Sequence, residues 1–253
     1  AAPPPVLGHG RADVPESPDL QRIIQFPDTR ERAVMVVDLH THSVFSDGHV
    51  WPRTRVEEAL RDGLDALAIT EHLEWTPHRG DINLDDRNRA WEIAHEAAAG
   101  TDLIVIAGSE ITRRWPVGHI NAIFIEDANP LLVLPEGAED IEDLDEYYDA
   151  ARSTDPRVAL DAAHGQGAFI FWNHPAWSSP ERDGIATLSE FHLEAIERGQ
   201  LHGIEVANWD NLSEEAFQIA LDHDLTVLGV SDVHELIDWD YEPHTGGHRP
   251  VTL

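Results

Sequence analysis

Val37–Gly48, VDLHTHSVFSDG, is the stretch on which the reading of this chain turns. The apolar run Val34–Val37 leads into it as a buried strand, and His40 and His42 at the strand's end stand two residues apart, so both imidazoles point to one side. Two ring nitrogens aimed at one place make a pair of metal ligands. Asp38 is positioned to orient a histidine, Asp47 adds a carboxylate after a short loop, and Gly48 suits the turn that brings it back.

A His-x-His pair by itself arises by chance, and most histidines are surface or satisfied core residues. Its sequel is what gives it weight. His72, Glu110, His119, His174, Asp232 and His234 each follow an apolar run, and a barrel of parallel strands would gather all of them at one rim. The sequence itself thus supplies a pool of six histidines and three carboxylates.

Working outward, seven strands are expected: Val34–Leu39, Leu64–Thr70, Leu103–Gly108, Ile120–Ile125, Ala168–Asn173, Ile204–Ala207 and Leu225–Val230. Helices are expected between them. Pro52–Asp62 turns Val56, Ala59 and Leu60 inward and closes on Gly63, while Leu84–Ala99 has Asp85 or Asp86 as a cap and stops at Gly100. Val158–His164, Leu188–Arg198 and a helix capped by Ser213 and running to Leu221 follow the same rules. The acidic segment Asn129–Asp155 holds a surface helix over DIEDLDEYYDAAR. Seven strands alternating with helices predict an α/β fold with a parallel sheet closed as a barrel. Val251–Leu253 looks like the opening of one more strand, either a short extra one or the start of further chain.

At 253 residues the chain is expected to form one domain, residues 33–253, behind a proline-rich arm, residues 1–32. The formal charge is −31, and all 17 basic residues are arginine. Such a surface repels polyanions, so nucleic acid is not an expected partner. The composition fits a protein kept soluble at high ionic strength; an ordinary acidic protein from a GC-rich genome is the other account. Without cysteine there is no disulfide and no thiolate ligand or nucleophile. No apolar run reaches the roughly 18 to 20 residues of a membrane span, so no membrane is expected either. The opening AAPPP resembles a mature chain after signal-peptide removal and points to a periplasmic or secreted protein, with a cytoplasmic one as the alternative. The sequence leaves the oligomeric state unspecified.

DLHTHSVFSDG, TEH at 70–72, GSE at 108–110, GH at 118–119, NHP at 173–175 and SDVH at 231–234 together resemble, in order, the motifs of the polymerase and histidinol phosphatase (PHP) superfamily. The resemblance implies a distorted seven-stranded (β/α)7 TIM-like barrel, a trinuclear metal site and phosphoesterase chemistry. Carried over position by position, it assigns His40, His42, Glu110 and Asp232 to a first ion, Glu110, His119 and His174 to a second, and Asp47, His72 and His234 to a third. Glu110 would bridge two ions. Nitrogen and oxygen donors without thiolate suit two to three Zn, Mn or Fe ions.

Phosphate ester hydrolysis needs such a cluster because a nucleophile must approach an anionic group and charge is left on the departing alkoxide. Ions answer both needs: hydroxide held between two of them attacks in line, and a third takes up phosphoryl oxygens. Glu110, Asp232 and His234 are the expected catalytic residues, with Asp232 or His234 passing a proton to the leaving group. Arg79, Arg113, Arg114 and Arg182 are candidates to hold a phosphate, against the competing account of surface ion pairs. Trp75, Trp115, Trp177 and Trp209 follow strands and are candidates to wall the pocket. A small phosphorylated substrate, a phosphate monoester, is expected. A phosphodiesterase or exonuclease of the same superfamily and a metal-binding scaffold domain are the alternatives.

Overall fold

The apolar runs of this sequence are short and rich in β-branched residues, so they become strands buried on both faces. The computed structural model describes residues 34–177, 184–245 and 247–253; the expected arm, residues 1–32, lies outside the described residues. In chain order the elements are β1 (Val37–Asp38), α1 (Pro52–Asp62), β2 (Ala66–Ile69), α2 (Arg89–Ala97), β3 (Ile104–Thr112) and β4 (His119–Ile123). They continue with α3 (Leu144–Ala151), α4 (Pro156–Gly165), β5 (Phe169–Trp172), α5 (Glu190–Glu197) and β6 (Gly203–Asn208). The last are β7 (Asn211–Leu212), α6 (Glu214–His223), β8 (Thr226–Val230) and α7 (Ile237–Asp240).

The strands join in one mixed sheet in the order β1-β2-β3-β4-β5-β6-β7, with β8 also paired to β6. The sheet is not the all-parallel one expected, because β4 runs antiparallel to both β3 and β5. The cause is the short link from β3 to β4: Arg113–Gly118 is too short for a crossover helix, so the chain can only turn back. The register of that hairpin sets Thr112 opposite His119 and Glu110 opposite Asn121.

The sheet is curled, and each strand divides its side chains between two cores. In β2, Ala66 and Ala68 face the inside of the curl with Leu39, Ile106, Phe171, Leu228 and Val230. Leu67 and Ile69 face outward onto Val56 and Ala59 of α1 and Ala90 and Ala94 of α2. A larger outer core packs Ile111, Ile120 and Trp172 against Leu160 of α4 and Phe191 of α5.

Between the two ends of the curl, Thr252 accepts from Val37 N at 3.0 Å and donates to Val37 O at 2.9 Å, while its hydroxyl donates to Gly229 O at 2.9 Å. The strand expected at Val251–Leu253 is therefore this single bridge. Just beyond, Asp232 N donates to His40 O at 2.9 Å and His42 N to Val233 O at 3.1 Å. These two bonds set the first and last motifs of the sequence side by side.

α1 has the bounds expected, with Pro52 at its start and Gly63 left-handed at its end. α2 begins at Arg89, later than expected, because short polar side chains hold the preceding residues in turns: Asn83 accepts from Asp85 N and Asp86 from Asn88 N. No described helix is long and apolar enough to cross a membrane.

Candidate metal centre

His40 and His42 follow β1, Asp47 the turn after it, and His72 follows β2. Glu110 lies within β3, His119 opens β4, His174 follows β5, and Asp232 and His234 follow β8. The turn is tight where Gly48 passes: a Cβ there would come within 2.8 Å of the backbone at His42 and Ser43.

Three sets of side chains converge, the ligand atoms of each within 4.8 Å of one another: His40, His42, Glu110 and Asp232; His42, Asp47, His72 and His234; and His72, Glu110 and His119. In the first, His40 Nε2 is 2.8 Å from Glu110 Oε2, 2.9 Å from His42 Nε2 and 3.2 Å from Asp232 Oδ1. In the second, Asp47 Oδ1 is 3.3 Å from His72 Nε2 and 3.1 Å from His234 Nε2. In the third, Glu110 Oε1 is 2.5 Å from His119 Nδ1 and 3.2 Å from His72 Nδ1. Glu110 thus offers one oxygen to each of two sets.

The structure brings together the four residues expected around the first ion, and it brings together Asp47, His72 and His234 with His42 added to them. The sets differ from the expected division at His174, whose Nε2 is 3.8 Å from Asp232 Oδ2 and which joins none of the three; His72 takes its place beside Glu110 and His119. His174 has φ 25°, and its backbone N–H donates to Glu205 Oε2 at 2.6 Å, which fixes where the ring can reach.

Outer hydrogen bonds decide which nitrogen each histidine presents. His40 Nδ1 donates to Glu205 Oε1 at 2.7 Å and His234 Nδ1 to Asp232 O at 2.7 Å. Ser46 gives its proton to Glu71, so its oxygen accepts from His42 Nδ1 at 3.2 Å. Neutral rings held this way turn Nε2 lone pairs inward, where they meet other lone pairs and carboxylates, and that arrangement calls for a cation. Glu110 Oε1, Asp47 Oδ1 and His119 Nδ1 are buried and make no hydrogen bond. Imidazole and carboxylate donors, with no cysteine in the sequence, fit Zn, Mn or Fe.

Without an ion, ring protons supply the positive charge that the carboxylates demand. Burial opposes charge on His40, yet Asp232, Glu205 and Glu110 hold its pKa well above the usual imidazole value. His72 is raised likewise, against burial, by Glu110 and Asp47. Burial would raise Glu110, but His72, His119 and His40 hold it well below the carboxylate range; Asp232 is lowered against burial by His40, His42 and His174. His174 is the exception, drawn down to about 3 by burial, and so remains a neutral ring. Divalent ions entering here would displace protons from His40 and His72.

The centre lies at the base of a cleft of about 950 Å³. Of the residues expected to bind substrate, Trp75, Arg114 and Trp177 line it; Trp209 does too, and Trp115 does not. Arg113 is buried and paired with Glu74, so its guanidinium is taken up inside the protein. Arg79 stacks on the Tyr147 ring, 3.6 Å from its centroid, and donates to Glu139 O, which turns it away from the cleft. Arg182 lies outside the described residues. Asp38, expected to orient a histidine ring, instead accepts from the backbone of His40 and Ser231 and faces Arg249.

The profile of the PHP domain matches residues 38–163. This chain is a PHP-domain protein. A two-domain protein of Bacteroides vulgatus containing a predicted PHP-like metal-dependent phosphoesterase is 42% identical to it, with a TM-score of 0.78 over 90% of this chain and 60% of that one. The PHP-domain chain therefore spans about 60% of the length of that relative. A candidate metal-dependent phosphoesterase of Bifidobacterium adolescentis, 23% identical over 78% of this chain and 87% of its own, shares the fold at a TM-score of 0.54. So does an amidohydrolase of Chromobacterium violaceum with bound sulfate and no metal, 19% identical over 79% and 87%, at 0.50. No curated protein matches the chain.

Several working parts of this PHP domain escaped the sequence reading. Glu205 holds His40 and the backbone of His174; Glu71 holds Ser43 and Ser46; Asp145, Tyr148, Asp210 and Asn211 line the cleft. The adjacency of Glu71 to His72 in TEH was the one available signal.

Proposed function

We propose that this chain hydrolyses small phosphate monoesters at a centre of two to three divalent ions. The observation that carries the reading is Glu110, buried and with its two oxygens in different ligand sets, at the base of an open cleft. Divalent ions bound there would supply a nucleophile at neutral pH and neutralise charge developing on the phosphoryl group. His40, His42, Glu110 and Asp232 would hold one; Asp47, His72 and His234 another; His119 with Glu110, and His174 beside them, a third.

The chain's own part is to hold these donors rigid. His234 donates Nδ1 to the Asp232 carbonyl, so its one free nitrogen, Nε2, is the atom that would hold an ion with Asp47 and His72, and while it does so it has no lone pair left with which to carry a proton to the leaving oxygen. Burial lowers its pKa, but Asp47 and Asp232 more than offset this and raise it, so an ion entering there would displace a proton from the ring. Asp232 and Glu110 keep the negative charge that binds the ions. Arg114, Trp75 and Trp177 are assigned to the substrate. The single bridges that join the ends of the curled sheet support the distorted seven-stranded barrel.

The test is hydrolysis of 4-nitrophenyl phosphate, which should be stimulated by Mn²⁺ or Zn²⁺ and lost with chelator. Its kcat/KM should exceed that for bis(4-nitrophenyl) phosphate and single-stranded DNA. Faster cleavage of the diester or DNA would make the chain a diesterase, and no turnover with any substrate would leave a metal-binding scaffold. Elemental analysis of protein purified without chelator should give more than one equivalent of Zn, Mn or Fe.

A further inference from the structure

We infer that an apolar groove on the outer face of β8, between α6 and α1, is the seat of the chain's own segment Leu20–Phe26, LQRIIQF. The inference goes beyond the phosphoesterase reading and stands whether or not the chain turns over an ester.

The helical layer around the curled sheet has a gap. α1 and α2 cover the outer face of β2, and Ala216 and Ala220 of α6 pack on Ile204 and Val206 of β6. β8 is followed only by α7, four residues long, which lies against α1: Ile237 N donates to Glu58 Oε1 at 2.8 Å and Arg61 Nη1 to Asp238 Oδ2 at 3.2 Å. What α7 leaves uncovered is a groove of about 930 Å³ lined by Val206, Val227, Val251, Leu212 and Phe217. Val251 also packs on the cluster that holds Val56 and Ala59, so the groove runs from α6 towards α1. Leu212 is 70% exposed, Phe217 46% and Val227 41%, and Leu221, one turn beyond Phe217, is 61% exposed. Single exposed apolar side chains are ordinary, whereas several around one groove mark a surface that another segment covers.

Reach, pattern and charge name the occupant. The described chain begins at Val34, and three residues on, Val37 is bonded in both directions to Thr252, the neighbour of Val251 in the groove. Phe26 precedes Val34 by eight residues, which can span up to about 26 Å, while α6 is about 15 Å long. The segment can therefore lie anywhere along the groove. In its sequence Leu20, Ile23 and Ile24 stand at i, i+3 and i+4, the spacing of one helix face. Asp19 before them is a capping residue type, and Pro27 after them is a stop. Leu20–Arg32 holds three arginines, Arg22, Arg30 and Arg32, against two acids, Asp28 and Glu31, in a chain of formal charge −31. The groove is rimmed by Glu214 and Glu215, and no described Arg or His lines it. A second copy would bring another −31 to that rim, so charge favours the chain's own segment over a dimer.

The sequence has no cysteine, so introduced pairs report proximity without background. In the full chain, Ile23→Cys and Ile24→Cys are each combined with Phe217→Cys and with Leu221→Cys, and, as a control, with Val158→Cys, an exposed position on α4. Disulfide formation under diamide is followed by non-reducing electrophoresis. We expect at least one groove pair to close within a single chain at least tenfold faster than either control pair. In the cysteine-free chain, Ile23→Asp with Ile24→Asp should speed amide exchange in β8 at least fivefold and leave β3 as in the parent. Fast closure of a groove pair within one chain supports the inference even where the aspartate variant does not fold. Groove pairs no faster than the controls overturn it. Disulfides between chains, with sedimentation at twice the monomer mass, assign the groove to a second copy and overturn it as well.

Discussion

Glu110 sits 2.8 Å from His40 and 2.5 Å from His119 through different oxygens, so a neutral isostere there removes negative charge from two ligand sets at once. Loss of an outer partner of a metal ligand costs about 10- to 100-fold in affinity or activity. Loss of a charge shared by two sets should therefore cost at least about 100-fold in kcat/KM. Glu110→Gln is expected to show that loss together with less metal per chain by elemental analysis, and to keep the circular dichroism of the parent. Retained activity would remove Glu110 from the centre. The same reasoning explains why Glu205 was invisible in the sequence. It stands in GIEVAN like any strand residue, and what makes it important, His40, is 165 positions away.

At the scale of elements, α5 offers a test far from the metal centre. Its first turn is closed by Ser189 and His192, and His192 Nε2 donates to Val117 O at 2.7 Å while its ring stacks on Trp172 at 3.9 Å. Burial holds the pKa of His192 down at about 4, below the ordinary 6.5, so protonation favours the unfolded chain. Stability is full above 6.5 and falls as pH drops towards 4, by up to about 3 kcal/mol at 1.36 kcal/mol per unit. His192→Gln should start less stable in urea and lose less between pH 7 and pH 4.5 than the parent; equal losses would mean that His192 does not carry this dependence. Elements of this kind, α6 with its serine cap and α1 with its glycine stop, were legible because their signals are local, while Ser189, the cap of α5, falls inside the helix expected from Leu188. The seven main strands were legible as apolar runs. The hairpin partner β7 is two exposed residues long and gives no pattern. Arg55 was hidden for another reason. It lies in α1 as one charge among several, yet it is buried and donates to the carbonyls of His42 and His234, and only the folded chain brings those together.

Over the whole molecule 48 acidic residues face 17 arginines, and the imbalance is densest around α3. That helix and its approach carry Glu136, Glu139, Asp140, Glu142, Asp143, Asp145, Glu146 and Asp149. Arg79 and Arg152 stack on its tyrosines, and Arg114 reaches Asp149. The helix that lends Asp145 and Tyr148 to the cleft is therefore the one most strained by like charge. Repulsion between exposed carboxylates reaches about 30 Å at 0.01 M salt and about 3 Å at 1 M, whereas buried pairs such as Arg55 with Glu58 are screened far less. Salt also weakens exposed pairs such as Arg198 with Asp161, but acids outnumber arginines and relief of repulsion should win. Raising KCl from about 0.01 M to 2 M is expected to lift Tm by at least about 5 °C, roughly 2 kcal/mol at 2–4 °C per kcal/mol for a chain of this size. KCl is the salt to use because sulfate also strengthens apolar burial by exclusion from the surface. Amide exchange should slow in α3 before it slows in α1, since α1 carries the buried Arg55–Glu58 pair. A Tm independent of KCl would mean that the carboxylates are solvated far enough apart not to strain the fold, and the acidic composition would then owe nothing to high salt.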